Sequence, residues 1–245
     1  MRGIDVDELI SKTAAFPIPG VIIDGYCQPE NPLSMIRKGQ HNDIPLMIGS
    51  NADEGSALYW GSPMAQMAMC PDTETYIAEF ERFFAEHAQT ALDLYPATSV
   101  EEMIQSSKEM CGDSLFGAPT RAVAQALAEQ DKSCFPYYFT KTPEGDTDGT
   151  LGAFHAMEIG YVFGVDALSP LSRPEDTELS DMMMQYWFNF ASTGNPNGDG
   201  LPRWESYNSN ADQWMELGDT VGMKTVSKRE KYELLMSGID RQLAQ

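Results

Sequence analysis

The chain has 245 residues, 42% of them hydrophobic and 10% aromatic, so it is too apolar for disorder and long enough to bury a sizeable core. Its 37 acidic and 16 basic side chains leave a formal net charge of −21. That balance argues against nucleic acid or an anionic membrane surface as partner, since both require a basic face.

No apolar run reaches the roughly 18 residues of a membrane span. The start M-R-G-I-D-V-D-E-L-I is broken by charges and does not read as a signal peptide. The compartment, secreted or cytoplasmic, is left open. From residue 3 to 14, Val6, Leu9 and Ile10 fall on one face of a short helix. Phe16 to Leu33 is rich in Pro and Gly and predicts extended, looping chain, with Asp24-Gly25 as a hairpin turn. Ile44 to Ile48 is a short apolar run that suits a strand buried on both faces, as in a parallel sheet. It runs into Gly49 and the polar loop G-S-N-A-D-E-G-S.

Residues 72–94 predict an amphipathic helix, with Tyr76, Ile77, Phe80, Phe83 and Phe84 at helical spacing and Pro96 as its stop. Ser99 and Glu102 form a capping box that opens a second helix, to about Met110. Pro119 suits the first turn of a third, T-R-A-V-A-Q-A-L-A-E-Q. Cys134 to Thr140 is aromatic-rich and predicts a strand. A Gly-rich loop then leads to His155. Glu178 to Ser192 carries a wide apolar stripe and stops at Gly194. D-Q-W-M-E-L suggests a short strand, and the face Tyr232, Leu235, Met236, Ile239, Leu243 a final helix. Nothing marks an internal boundary, so residues 1–245 read as one partial domain.

Cys27, Cys70, Cys111 and Cys134 are irregularly spaced and form no C-x-x-C, which argues against a zinc site. They are either free thiols or one or two disulfides. No metal or cofactor is expected.

Chemistry centres on two places. The chain has three histidines, and two sit in plain settings: His41 in a polar run and His87 in an acidic helical pattern. His155 lies among glycines and apolar residues, in G-A-F-H-A-M-E-I-G-Y-V-F-G. Such a residue is either a core histidine satisfied by backbone or a general base, because imidazole titrates near neutral pH. Asp53-Glu54-Gly55 is either a solvated turn or a carboxylate pair at a strand end, where α/β sheets place functional groups.

These stretches resemble the type-B carboxylesterases, the family that includes cholinesterases and bacterial carboxylesterases. His155, Glu158, Phe163 and Gly164 fill the places of that family's histidine loop. G-S-N-A-D-E-G-S resembles its G-x-N-x-D-E-G, in which the glutamate is the triad acid. Asp113, Phe116 and Pro119 match its Asp-x-x-Phe segment, and W-F-N-F-A-S-T-G-N-P-N its W-x-x-F-A-x-x-G-x-P-N. The resemblance implies an α/β fold, with a few strands of an α/β-hydrolase sheet and several packed helices. It implies Glu54 as the acid that orients His155, and His155 as the base that takes the proton of a serine nucleophile.

Three departures matter. Ala57 stands where cholinesterases place an aromatic that holds choline, so choline esters are a poor guess for substrate. Ala118 stands where cholinesterases carry a disulfide cysteine. No G-x-S-x-G and no H-G-G-G occur in the 245 residues, so nucleophile and oxyanion loop are missing. The chain is therefore expected to be a fragment, the C-terminal half of the domain, with the nucleophile-bearing N-terminal half as its missing partner. The implied function is the acid- and base-bearing part of a serine carboxylic-ester hydrolase acting on a small ester, inactive by itself. The alternatives are a non-catalytic adhesion or binding relative of the cholinesterases and an inactive gene fragment. Gly112-Asp113-Ser114-Leu115 also spells the signature of GDSL hydrolases, but it lies in mid-chain after a helix rather than after a first strand.

Overall fold

Side chains along three strands alternate between two faces, and each face is covered by helices. The computed structural model describes residues 3–13, 22–61, 70–147, 149–165 and 174–243, with backbone only for 58–61, 239, 242 and 243. Strands β1 (Leu46–Asn51), β2 (Cys134–Phe139) and β3 (Gln213–Leu217) are parallel neighbours. β4 (Val221–Thr225) closes the sheet as an antiparallel hairpin partner of β3. Leu46, Ile48, Cys134, Tyr138 and Trp214 face one core, together with Tyr76, Phe80, Phe84, Tyr95 and Tyr232. Met47, Phe135, Tyr137, Phe139, Met215 and Leu217 face the other, against Tyr161, Met183, Tyr186 and Trp204. This period of two, with both faces filled, is what a largely parallel sheet requires.

The helices in chain order are α1 (Val6–Thr13), α2 (Pro32–Arg37), α3 (Glu54–Gly61), α4 (Thr73–Phe84), α5 (Ala88–Leu94), α6 (Val100–Gly112), α7 (Ala118–Ala128), α8 (Met157–Phe163), α9 (Pro174–Thr193) and α10 (Arg229–Leu243). The fold is α/β, as the sequence implies, and several details differ from the sequence reading.

β1 begins two residues later than the apolar run. Ile44 is exposed, and the strand continues through Gly49 to the buried Ser50 and Asn51. Leu46, Met47 and Ile48 are half-buried rather than buried, because β1 pairs only with β2 among the described residues. A β-carbon on Gly49 would lie 2.3 Å from the Tyr137 ring of the paired strand, so only glycine fits there. The helix expected over 72–94 is broken at Ala85, whose φ of +50° forces a 3₁₀ turn between α4 and α5. Tyr76, Phe80 and Phe84 are buried as expected, whereas Ile77 and Phe83 face outward.

The second and third expected helices are one continuous run. A π-helical segment, Asp113–Gly117, joins α6 to α7, with the Ala118 amide donating to the Asp113 carbonyl. The wider turn gives room for Pro119, whose ring would otherwise clash with the carbonyl of Leu115. The Ser99 cap forms, with its hydroxyl accepting from the Glu102 amide, but the Glu102 carboxylate reaches back to Thr98 rather than to Ser99. Asp24-Gly25 is an Asx turn in which Asp24 accepts the amides of Tyr26, Cys27 and Gln28, without a hairpin. The apolar face of α1 is exposed at Val6, Leu9 and Ile10. Residue 14 of the first expected helix and residues 16–21 of the expected looping segment lie outside the described residues, as do the side chains of Ile239 and Leu243. All four cysteines are free thiols.

Candidate active site

The C-terminal ends of β1 and β2 lie side by side, with Asn51 paired to Phe139. Each feeds a loop, and the two loops meet. After β1 the chain turns in Ala52-Asp53 and enters α3 at Glu54. After β2 it runs through a loop pinned by Asp146, whose carboxylate accepts the amides of Leu151 and Gly152, at 3.2 and 2.8 Å. That loop then comes back alongside Asp53. The Asp53 amide donates to the Ala153 carbonyl at 3.1 Å, and the Asp53 carboxylate accepts the Ala153 amide at 2.9 Å. A parallel bridge between Asp53 and Phe154 results. Gly152 makes this possible: its φ is +57°, and a β-carbon there would lie 2.2 Å from the Asp53 carboxylate.

The bridge brings Glu54 and His155 together, although 101 residues separate them in sequence. The His155 Nδ1 lies 2.6 Å from Glu54 Oε2. A carboxylate can only accept, so Nδ1 carries the hydrogen and Nε2 is left with a free lone pair. Among the described residues nothing hydrogen-bonds Nε2. Glu54 is 6% exposed, and the His155 side chain is 40% exposed, with its ring tilted against Phe116 at a centroid distance of 4.9 Å. Burial lifts the Glu54 carboxyl above the ordinary carboxylate value, while bonds from the Asn51 amide and His155 act against that rise and nearby Glu158 adds to it. A buried acid that fixes one ring nitrogen of a half-exposed imidazole leaves the other nitrogen able to accept a proton.

Two further contributors carry no plain signal in the sequence, and a third, Asn51, is the asparagine of G-x-N-x-D-E-G, a match that says nothing of its contacts. Asn51 donates from its side chain to the Phe154 carbonyl and the Glu158 carboxylate. Lys228, at the start of α10, places its ammonium 2.9 Å from Asp113 and 3.5 Å from the Ala52 carbonyl, beneath the acid-bearing turn. Burial opposes its charge, but Asp113 and Glu109 outweigh burial and hold the ammonium above its ordinary pKa. Ala156 follows the histidine with a φ of +68° and starts α8 from the left-handed region. Of the other singled-out positions, Glu158 sits in the first turn of α8 and Ala57 is a half-buried residue of α3. Ser114 lies inside the π segment with its hydroxyl donating to the Cys111 carbonyl, not at a strand end. Among the described residues no cluster of three His, Cys, Asp or Glu side chains is placed to hold a metal ion.

Comparison with known proteins covers nearly the whole chain. The chain is 30% identical over 241 residues to carboxylesterase 1C of Mus musculus, covering 91% of this chain and 43% of that protein. It is 29% identical to carboxylesterase 5A of Felis catus, covering 94% of this chain and 44% of that protein. A solved structure titled PNB esterase superposes with a TM-score of 0.70 at 28% identity, over 95% of this chain and 49% of that one. EstA of Aspergillus niger also superposes with a TM-score of 0.70, at 20% identity, and so shares the fold. The chain thus spans less than half the length of these relatives. A model of the carboxylesterase family matches residues 2–235, and the chain belongs to that family.

Proposed function

We propose that this chain supplies the acid, Glu54, and the general base, His155, of a serine carboxylic-ester hydrolase. The observation that carries the reading is the 2.6 Å contact between the Glu54 carboxylate and His155 Nδ1 at the meeting of two strand-end loops. Nε2 would take the proton of a serine hydroxyl as that oxygen attacks the ester carbonyl, and would return it to the leaving alcohol. Glu54 would hold the Nδ1–H tautomer and stabilise the imidazolium formed in between. The chain contains no G-x-S-x-G, so serine and oxyanion donors would come from an upstream half of the same domain. Among the described residues the outer edge of β1 is unpaired, and that edge with the half-buried Leu46, Met47 and Ile48 suits a further parallel strand from that half. The substrate would be a small neutral carboxylic ester, and Ala57 offers no aromatic face to a choline group.

The test is a chromogenic short-chain ester assayed with the chain alone and with the chain assembled with a carboxylesterase N-terminal half bearing G-x-S-x-G. We expect hydrolysis at the buffer rate from the chain alone and turnover from the assembly. Activity of the chain alone that disappears in Ser114→Ala would overturn the reading and point to the GDSL serine instead.

A further inference from the structure

One side chain grips the histidine loop on both sides of His155 while its own backbone holds the acid. The Asn51 carboxamide donates to the Phe154 carbonyl at 2.8 Å and to the Glu158 carboxylate at 2.6 Å. Phe154 directly precedes His155, and Glu158 lies one helical turn beyond it. The Asn51 amide nitrogen donates to Glu54 Oε1 at 2.8 Å, leaving Oε2 for His155 Nδ1. Asn51 is 4% exposed and is the last residue of β1, so it is held by the β1–β2 ladder rather than by the loops it joins.

The chemistry of the position selects an amide. Both neighbours are acceptors, so the side chain must offer two hydrogens from one nitrogen, which only a carboxamide of this length does. An aspartate would offer none and would set a third carboxylate against Glu54 and Glu158. The Asn51 Oδ1 accepts nothing among the described residues, so the residue's contribution lies in its donors. Buried donors to a carboxylate are the stronger class of neutral-to-charged hydrogen bond.

We infer that Asn51 is a positioning residue of this site, acting beside the Asp53–Phe154 bridge to fix the distance between acid and base by holding both to the end of one strand. The inference rests on the reading of Glu54 and His155 as an acid–base pair. It predicts that without the Asn51 carboxamide the histidine loop leaves Glu54 and His155 loses its preference for the Nδ1–H tautomer.

The chain's three histidines make this measurable. Nitrogen-15 shifts of the imidazoles in the 245-residue chain, labelled at histidine, report the tautomer of each ring, with exposed His87 as internal reference. We expect His155 to be mainly Nδ1–H, and its Nδ1–H population to fall at least twofold in Asn51→Ala and in the isosteric Asn51→Asp. Asn197→Ala is the matched control. Asn197 also bridges backbone groups, exchanging 2.8 Å bonds with Trp204, but away from the site, so its loss should leave His155 unchanged. Melting by circular dichroism reports whether each variant is folded, and Asn51→Asp serves if Asn51→Ala is not. If Glu54→Gln flips the His155 tautomer and the Asn51 variants do not, the pair stands and the role of Asn51 is overturned. If Glu54→Gln leaves the tautomer unchanged, the acid–base reading fails and this inference with it.

Discussion

Gly55 rests directly on the backbone of Lys108: a β-carbon on Gly55 would lie 1.8 Å from the Lys108 carbonyl oxygen. The facing Gly112 is tight as well, with its own β-carbon position 3.0 Å from the Gly55 nitrogen and 3.1 Å from the Glu54 β-carbon. α3 and α6 therefore touch backbone to backbone at the residue after the acid, and that contact sets the position of Glu54.

Gly55→Ala should push α3 off α6 and carry Glu54 with it. We expect a loss of about 2–3 kcal/mol of stability, the cost of overpacking, and about 10²-fold lower activity in the assembled enzyme, since roughly 1 Å of misplacement costs that much. Gly222→Ala, where a β-carbon meets nothing within 4 Å, is the control and should be near neutral. Denaturant midpoints and kcat/KM for the two variants check this.

Ala156 holds a left-handed φ of +68° immediately after His155. An L-residue with a β-carbon carries a cost of roughly 1–2 kcal/mol there, and a β-branched one more. Ala156→Gly should be neutral or stabilising, because relief of strain offsets the greater freedom of glycine when unfolded. Ala156→Val should lose at least about 1–2 kcal/mol. Equal melting temperatures for the two would show that the position is not strained.

The buried pair Arg121–Asp212 gives a pH test. Its guanidinium and carboxylate are 2.8 Å apart and nearly inaccessible. Burial alone would raise the Asp212 carboxyl, but bonds from Arg121 and Tyr207 hold it below the ordinary value. A carboxyl lowered on folding stabilises above its unfolded pKa, and that stability is lost as pH falls through the folded pKa. Asp212→Asn leaves Arg121 with only the Glu233 carboxylate, at 3.3 Å, and asparagine tolerates the φ of +47° at this position. We expect a loss of about 3–5 kcal/mol at pH 7. The gap from the native chain should narrow as pH drops below about 4. A gap independent of pH would contradict the assignment.

The sequence shows the strands β1, β2 and β3 because their apolar runs are short, bounded by polar turns and rich in branched or aromatic residues. β4 escapes the same reading. V-G-M-K-T contains a glycine and a lysine, forms a sheet edge, and gains its partner from the neighbouring turn rather than from burial. α3 is hidden too, since E-G-S-A-L-Y-W-G has little amphipathic pattern and its register is set by the Gly55–Lys108 contact. Glu54 and His155 are legible as motif members, and so is Gly55, whereas Gly152, which lets the loops approach, is not. What motifs cannot supply is the mechanical link between the loops. Asn51 is legible as the asparagine of G-x-N-x-D-E-G but not by its partners, and Lys228 only as one more surface cation, until the strand register and the return of α10 place them. Pro119 points to a helix start by its own preference, and only the π turn before it explains how it sits inside a continuous helix.

The central claim is that His155 is the base and Glu54 its orienting acid. The most direct measurement is kcat/KM for a chromogenic ester in the assembled enzyme, compared among native chain, His155→Ala and Glu54→Gln. The account predicts a loss on the order of 10⁶-fold for His155→Ala and a smaller one, about 10⁴-fold, for Glu54→Gln, which keeps the ring but favours the wrong tautomer. Circular dichroism should show both variants folded. Activity of a folded His155→Ala within tenfold or so of the native value would contradict the account.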